Sequence, residues 1–321
     1  MMSPRHEKAE TAGPALARRD SLWARLRTWS EMIKFQHSVF ALPFALMATF
    51  LAGRSVEELG RPHGVQIVLI VVCMVAARSV AMTFNRIVDA ALDARNPRTA
   101  GRPLPSGALT LAAAWGFLAL AVVTFGLGCF AFYGFYANPW PMLFAGPVLV
   151  YLCAYSYTKR FTRWSHLILG SAIALSPVGA WVAIHPASLG WPALLLLGAV
   201  TFWIGGFDII YACQDIEIDR RDGLHSLPAR LGPARALLMA RLCHVLTVAL
   251  LVALAAAAGL GWVYLAGVAV AAVLLAAENR VVKADDLSKV NLAFFTINGL
   301  VSILLCVLTL TDILTDRPPV F

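Results

Sequence analysis

Residues 65–84 read Val-Gln-Ile-Val-Leu-Ile-Val-Val-Cys-Met-Val-Ala-Ala-Arg-Ser-Val-Ala-Met-Thr-Phe, and the chain runs straight on into Asn85-Arg-Ile-Val-Asp89-Ala-Ala-Leu-Asp93. The first stretch is long and apolar enough for a helix to cross about 30 Å of hydrocarbon. The second places an amide and two carboxylates at i, i+4 and i+8, on one face of the same helix. Pro97 then stops the helix, and Arg98, Arg102, Pro103 and Pro105 follow in a polar loop. A lipid-embedded helix that ends in stacked carboxylates sets the reading: a membrane protein with a charged site at one rim.

Composition agrees. Sixty per cent of the 321 residues are apolar before any of the 23 glycines is counted, and only 14% are charged. Soluble domains run at about 45–50% apolar with glycine included and about 25% charged. A soluble chain of this size could not hide so much apolar surface, because much of any such protein faces water. Cys73, Cys129, Cys153, Cys213, Cys243 and Cys306 are scattered without a CxxC pair, which argues against a zinc ribbon or a disulfide scaffold. The net charge of +8 fits cationic inner loops rather than a nucleic-acid partner.

Nine apolar stretches are expected to span: 35–53, 65–84, 108–130, 140–158, 165–184, 191–210, 234–258, 261–279 and 291–312. The fold class is therefore all-α and polytopic, a bundle of about nine transmembrane helices around a central cavity. Residues 1–34 are polar with seven Lys/Arg, unlike a signal peptide, and read as a cytosolic tail. Its last part, 20–34, places Leu22, Leu26, Trp29 and Ile33 on one face with Arg25, Arg27 and Lys34 around it, the pattern of an interfacial amphipathic helix. The division is 1–34 tail and interfacial helix, 35–312 membrane domain and 313–321 a short C-terminal tail. Inner loops collect Arg86, Arg95, Arg98, Arg102, Lys159, Arg160, Arg163, Arg220, Arg221, Arg230, Arg235, Arg280, Lys283 and Lys289, while outer segments hold only Arg54, Arg61 and Arg317. The asymmetry sets the N-terminus and acid loops in the cytoplasm and the C-terminus outside.

A second acid run, Asp208-Ile-Ile-Tyr211-Ala-Cys-Gln-Asp215-Ile-Glu-Ile-Asp219, closes the sixth span, with its aspartates at spacings that share a helical face. Asp222 joins that face if the helix continues, but Gly223 is expected to end it. Clustered carboxylates repel one another unless a cation neutralises them. Hard oxygen ligands without His or Cys favour Mg²⁺, which is typically held by a few carboxylates together with substrate phosphates. Two acid clusters beside Arg and Lys are equipment for a diphosphate. A third element, Tyr155-Ser-Tyr-Thr-Lys159, ends the fourth span. Lys159 would meet the diphosphate and Tyr155 would stabilise a cation or order the metal site, although a snorkelling lysine and a belt tyrosine look the same in sequence.

These residues together resemble the UbiA superfamily of intramembrane aromatic prenyltransferases, over about residues 30–312. Its first acid motif is matched by Asn85, Asp89 and Asp93, its second by Asp215 and Asp219 with Asp208 upstream, its YxxxK element by Tyr155 and Lys159, and its basic loop by residues 96–107. The resemblance implies transfer of a polyprenyl group from polyprenyl diphosphate to a ring carbon of a hydroxylated aromatic acid of the 4-hydroxybenzoate type, in respiratory quinone biosynthesis in the bacterial cytoplasmic membrane. It implies two Mg²⁺ bridged by the diphosphate, one on Asn85, Asp89 and Asp93 and one on Asp208, Asp215 and Asp219. Arg98, Arg102 and Lys159 would stabilise the departing diphosphate. Arg86 stands where many members carry Asp, which suggests a sub-branch, and residues 206–217 are similar to a 4-hydroxybenzoate polyprenyltransferase-like branch, some of whose members prenylate 1,4-dihydroxy-6-naphthoate in a menaquinone route.

A secondary transporter also places acids in membranes, but near the midplane, whereas these lie at the rim. The DGxxAR-type run of CDP-alcohol phosphotransferases does not occur. Elsewhere the expectations are plain. His37 and His166 read as interfacial polar groups, and Arg78 as a cation that pairs or snorkels. Glu278, Asp285 and Asp286 read as acids of one inner turn, and Asp312 as an outward-facing acid. Asn291 and Asn298 read as links between helices.

Overall fold

The computed structural model describes residues 28–32, 38–56 and 60–315, and among these it holds helices and connecting loops with no strand. Among the described residues nine helices form the bundle: α1 Ser38–Gly53, α2 Gly64–Arg95, α3 Leu111–Tyr136, α4 Trp140–Thr158, α5 Ser165–Ile184, α6 Trp191–Ala212, then, after two short helices α7 Ile216–Arg221 and α8 Leu227–Leu231, α9 Pro233–Ala258, α10 Trp262–Val281 and α11 Asn298–Leu314. Eight spans, all but that of α1, are long and apolar enough to cross a bilayer, so this is an integral membrane protein; α1 has only a shorter apolar stretch, Ala41–Gly53. Of the expected amphipathic helix, residues 28–32 are helical and Trp29 packs on Phe117, with ring centroids 4.6 Å apart. The rest of that helix, and His37, lie outside the described residues.

Local chemistry explains the ends. Thr110 caps α3 by accepting the Ala113 amide at 3.2 Å. Pro141, Pro192 and Pro233 open helices, where a missing N–H costs nothing. Trp140, Trp191 and Trp262 stand exposed at the starts of α4, α6 and α10, while Trp115, Tyr157 and Trp164 stand exposed at the opposite end of the bundle. These are the two aromatic belts expected of a membrane span.

α1, α5, α6, α9, α10 and α11 pack in a closed ring, and α2, α3 and α4 pack on one another, with α2 and α4 set against α5. α6 is the central post. Lipid tails are as apolar as the side chains between helices, so close backbone approach and polar links hold such a bundle. Gly170 of α5 lies where any Cβ would collide with the Thr201 carbonyl of α6, and Gly206 of α6 lies directly against the His244 ring of α9. Asn298 joins three helices: its Oδ1 accepts from Trp203 at 2.8 Å and its Nδ2 donates to Glu278 at 2.7 Å.

Two acids differ from expectation. Glu278 is no part of an inner turn; it is fully buried in α10, held by Asn298, with its second oxygen 4.0 Å from His244. Asp312 does not face outward into water; it is buried at the end of α11 and accepts the amides of Gly261 (2.7 Å) and Tyr264 (3.2 Å), capping α10. Neither partner is visible in a linear pattern, because both lie far away along the chain.

Candidate active site

α2 continues unbroken past its apolar stretch, so Asn85, Asp89 and Asp93 rise along one face of its last turns. Asn85 Nδ2 donates to Asp89 at 3.1 Å. The helix stops at Arg95 because Pro97 disfavours helical geometry at Asn96, which is extended (φ −99°, ψ 116°). The Asn96 side chain accepts the Arg98 amide at 2.9 Å and Thr99 Oγ1 donates to the Asp93 carbonyl at 2.9 Å. The loop is thereby folded back under the helix end, and Arg102 reaches Asp93 at 2.6 Å. Arg86, itself buried, stands 3.8 Å from the other oxygen of Asp93.

The second acid run does not form one uninterrupted helix. α6 tightens into a 3₁₀ turn at Cys213–Asp215 before α7 resumes, and the chain leaves α7 through Gly223 at φ 69°. The break turns Asp215 toward the first loop. Arg98 binds it with two donors (Nε to Oδ1 at 3.0 Å, and the terminal nitrogen to Oδ2), and Asn96 Nδ2 adds a bond at 3.1 Å. Arg98 also donates to the Tyr211 hydroxyl at 2.8 Å. Burial works against the charge of Arg98, but its bonds to Asp215 and Tyr211 outweigh that and hold its pKa above the ordinary value. Asp222, just past α7, pairs with Arg221, whose guanidinium also reaches the Arg95 carbonyl at 3.1 Å and ties the two loops together.

α4 brings the third element. Lys159 Nζ lies 2.5 Å from Asp89 Oδ2, and Arg160 holds Oδ1 at 2.9 Å while donating to the Ser156 carbonyl at 2.8 Å. Tyr155 lines the same cavity one turn earlier. Arg160 was not among the expected site residues; its place directly after Lys159 was the signal. His166 was also missed. It is buried, with Nδ1 2.6 Å from Asp208. Its Nε2 accepts the Leu227 amide at 3.2 Å, which assigns a neutral ring whose Nδ1–H donates to the carboxylate.

All the expected site residues, Asn85, Asp89, Asp93, Arg98, Arg102, Tyr155, Lys159, Asp208, Asp215 and Asp219, line one cavity of about 660 Å³. Its polar end is the acid rim. From there it runs back along α2 as far as Ile70, a depth of about 22 Å at the helical rise. That part is walled by apolar side chains such as Phe125, Phe132, Phe144 and Val148. Arg78 faces it two turns below Asn85, with its buried Nε lacking a hydrogen-bond partner among the described residues. Also among the described residues, no three His, Cys, Asp or Glu side chains converge as a ready-made metal cage. Cations interleave with the acids instead.

A membrane-embedded helical bundle with an apolar cavity leading to a rim of aspartates, arginines and lysine defines a class of enzymes that handle lipid diphosphates. The family can be stated outright: the model of the UbiA prenyltransferase family matches residues 41–300, and the chain belongs to that family. It is 33% identical over 210 residues to the 4-hydroxybenzoate octaprenyltransferase of Xanthomonas oryzae pv. oryzae, covering 64% of this chain and 67% of that one. It spans 42% and 47% of two fungal polyprenyl transferases that it also matches, from Arthrobotrys oligospora and Arthrinium sp. The apo structure of a UbiA homolog from Aeropyrum pernix K1 superposes with a TM-score of 0.72 at 28% identity, covering 87% of this chain and 98% of that one. The fold is shared, at 17% identity and a TM-score of 0.64, with a UbiA homolog from Archaeoglobus fulgidus bound to DMAPP and Mg²⁺, with coverage of 90% and 100%.

Proposed function

We propose that this prenyltransferase moves a polyprenyl group from polyprenyl diphosphate to a ring carbon of a hydroxylated aromatic acid of the 4-hydroxybenzoate type, for respiratory quinone synthesis in a bacterial cytoplasmic membrane. The observation that carries the reading is the cavity that joins the acid and arginine rim to a deep apolar channel with a half-buried cation, Arg78, on its wall. Diphosphate belongs at the rim, the prenyl chain in the channel, and the acceptor between them with its carboxylate on Arg78. The name of the Xanthomonas relative supports the acceptor class.

In the reaction the allylic C–O bond breaks, diphosphate leaves with the electron pair, and the allylic cation is captured by a ring carbon that then loses its proton. The chain supplies position and charge. Lys159, Arg160, Arg98 and Arg102 surround the place where negative charge accumulates. The apolar walls keep water from the cation, and the Tyr155 ring faces the same space. The donor set fits Mg²⁺: all its groups are hard oxygens, and Asp93 Oδ2 is buried at the cavity with no hydrogen-bond partner among the described residues. Asn85, Asp89 and Asp93 would hold one ion and Asp208, Asp215 and Asp219 a second, and the bound metal would neutralise diphosphate oxygens. The Archaeoglobus homolog bound to DMAPP and Mg²⁺ supports this use. We place the acid rim and the N-terminal tail (1–34) in the cytoplasm, 35–312 in the membrane and the 313–321 tail outside.

The test incubates purified protein with labelled prenyl diphosphate and Mg²⁺, offering 4-hydroxybenzoate or 1,4-dihydroxy-6-naphthoate separately. Prenylated 4-hydroxybenzoate is expected, lost in Asp89→Asn, in Asp215→Asn and with EDTA. Full activity in either variant or in EDTA overturns the reading.

A further inference from the structure

The turn between α4 and α5 has two ends. One carries Lys159 and Arg160, which hold Asp89. The other carries Phe161 and Trp164, which stand 67% and 42% exposed. Beside them a shallow groove of about 460 Å³ is lined by Phe161, Arg163, Trp164, His225, Arg230 and Leu231, apart from the catalytic cavity.

The groove is lined by cationic and aromatic side chains. The Arg163 guanidinium lies over the Trp164 ring, 5.1 Å from its centroid. The Arg230 guanidinium donates to the His225 ring, with one terminal nitrogen 2.6 Å from Nδ1 and 3.2 Å from Nε2. Two fixed cations therefore border one concavity that has no carboxylate among its lining residues. Two guanidinium groups on one concavity can share a single phosphodiester, which isolated snorkelling arginines cannot. α9 begins just after Leu231 without a side-chain cap, which leaves amide donors at the same edge.

Its position selects the source of the anion. Exposed Leu238, Leu242 and Val245 on α9 mark lipid-facing surface starting about two turns from Arg230, and exposed Phe161 and Trp164 mark the interfacial belt. The groove lies at that boundary, at the level of headgroups. We propose that it binds the headgroup of an anionic glycerophospholipid from the leaflet at the acid rim. The lipid also braces the active site, because the His225 amide donates to the Lys159 carbonyl at 2.7 Å and the same turn presents both cations of Asp89.

Native mass spectrometry of the detergent-purified full chain, titrated with phosphatidylglycerol or phosphatidylcholine, tests this. Wild type should retain phosphatidylglycerol in preference to phosphatidylcholine. The double variant Arg163→Gln/Arg230→Gln should bind phosphatidylglycerol about thirtyfold more weakly, taking roughly fivefold per arginine near a bilayer surface. Arg163→Gln alone, whose side chain packs on the surface, should lose about fivefold and guards against misfolding of the double variant. Lys283→Gln/Lys289→Gln, in another basic loop, should change nothing. Equal phosphatidylglycerol affinity in wild type and the arginine variants overturns the proposal. So does equal binding of the two lipids, or displacement of phosphatidylglycerol by equimolar inorganic phosphate, which would make this a soluble-anion site.

Discussion

The acids at the rim are held by the protein's own cations, so those cations compete with any metal for the same oxygens. Arg160→Gln tests the competition. Asp89 is nearly fully buried and accepts from Asn85, Lys159 and Arg160, with Arg160 alone at Oδ1 among the described bonds. Two unit charges about 4 Å apart attract by about 4 kcal/mol at an effective dielectric of 20. The Arg160 side chain is 30% exposed, so water screens it and a net figure of about 1–1.5 kcal/mol is realistic. Freeing Oδ1 should then tighten binding of a divalent ion by about tenfold in the absence of prenyl diphosphate. Mn²⁺, followed by electron paramagnetic resonance, is a suitable probe. In the same variant the KM for prenyl diphosphate should rise, because a cation facing the diphosphate is lost. Mn²⁺ affinity unchanged or weaker in Arg160→Gln, with the fold intact, would refute the idea that Arg160 and metal compete for Asp89.

Other substitutions separate roles. Arg78→Gln should raise the KM for the aromatic acid at least tenfold, about 1.4 kcal/mol or more for a lost carboxylate–cation bond, and leave the KM for prenyl diphosphate unchanged; steady-state kinetics with each substrate varied in turn checks it. His166→Ala removes the donor to Asp208 and the acceptor for the Leu227 amide, so thermal unfolding should show a loss of about 1–3 kcal/mol and turnover should fall. Asp312→Ala uncaps α10 and should cost about 1–2 kcal/mol without affecting KM. Glu278→Gln keeps an acceptor for Asn298 and should melt like wild type, whereas Glu278→Ala should lose about 0.6–2 kcal/mol.

What the sequence disclosed and what it withheld divide along a physical line. Helix positions follow from runs of apolar residues set by bilayer thickness, and those runs are local. The expected starts and ends of the fourth and fifth spans coincide with α4 and α5, and the ninth differs mainly in its first turns, where Ala293–Ile297 forms a π turn. The first acid face was legible for the same reason, since i, i+4 spacing on a helix is a local property, whereas the 3₁₀ turn at Cys213–Asp215 that re-aims the second was not. The partners were not. His166 looks like any interfacial histidine until α5 packs on α6 and sets its ring against Asp208. Asn96 and Arg98 are loop residues whose target, Asp215, lies more than a hundred positions away. Glu278 sits near Asp285 and Asp286 in the chain, yet helical continuation through Val281 carries it inward to Asn298.

The interleaving of charges also explains how such a rim can exist before substrate arrives. Several aspartates at one membrane edge would repel one another or take up protons if left alone. Here Asp89 sits between Lys159 and Arg160, Asp93 between Arg102 and Arg86, Asp215 against Arg98, and Asp208 against neutral His166. Four of these cations, Arg98, Arg102, Lys159 and Arg160, keep between about a fifth and a third of their side-chain surface open, while Asp89 and Asp93 are under a tenth exposed. The cations are thus the movable partners and the acids the fixed ones. An incoming diphosphate can draw the guanidinium and ammonium groups toward itself and release carboxylate oxygens in the same motion. On this reading Arg86 differs from the other cations: at 5% side-chain exposure it cannot swing out, so it stays with Asp93. Arg86 is thus a permanent counter-charge to Asp93 within the first cluster. Arg86→Asp should therefore strengthen divalent-ion binding at the first cluster, and the Mn²⁺ titration proposed for Arg160→Gln reads it directly; weaker binding in Arg86→Asp would show that the buried arginine supports the site in some other way.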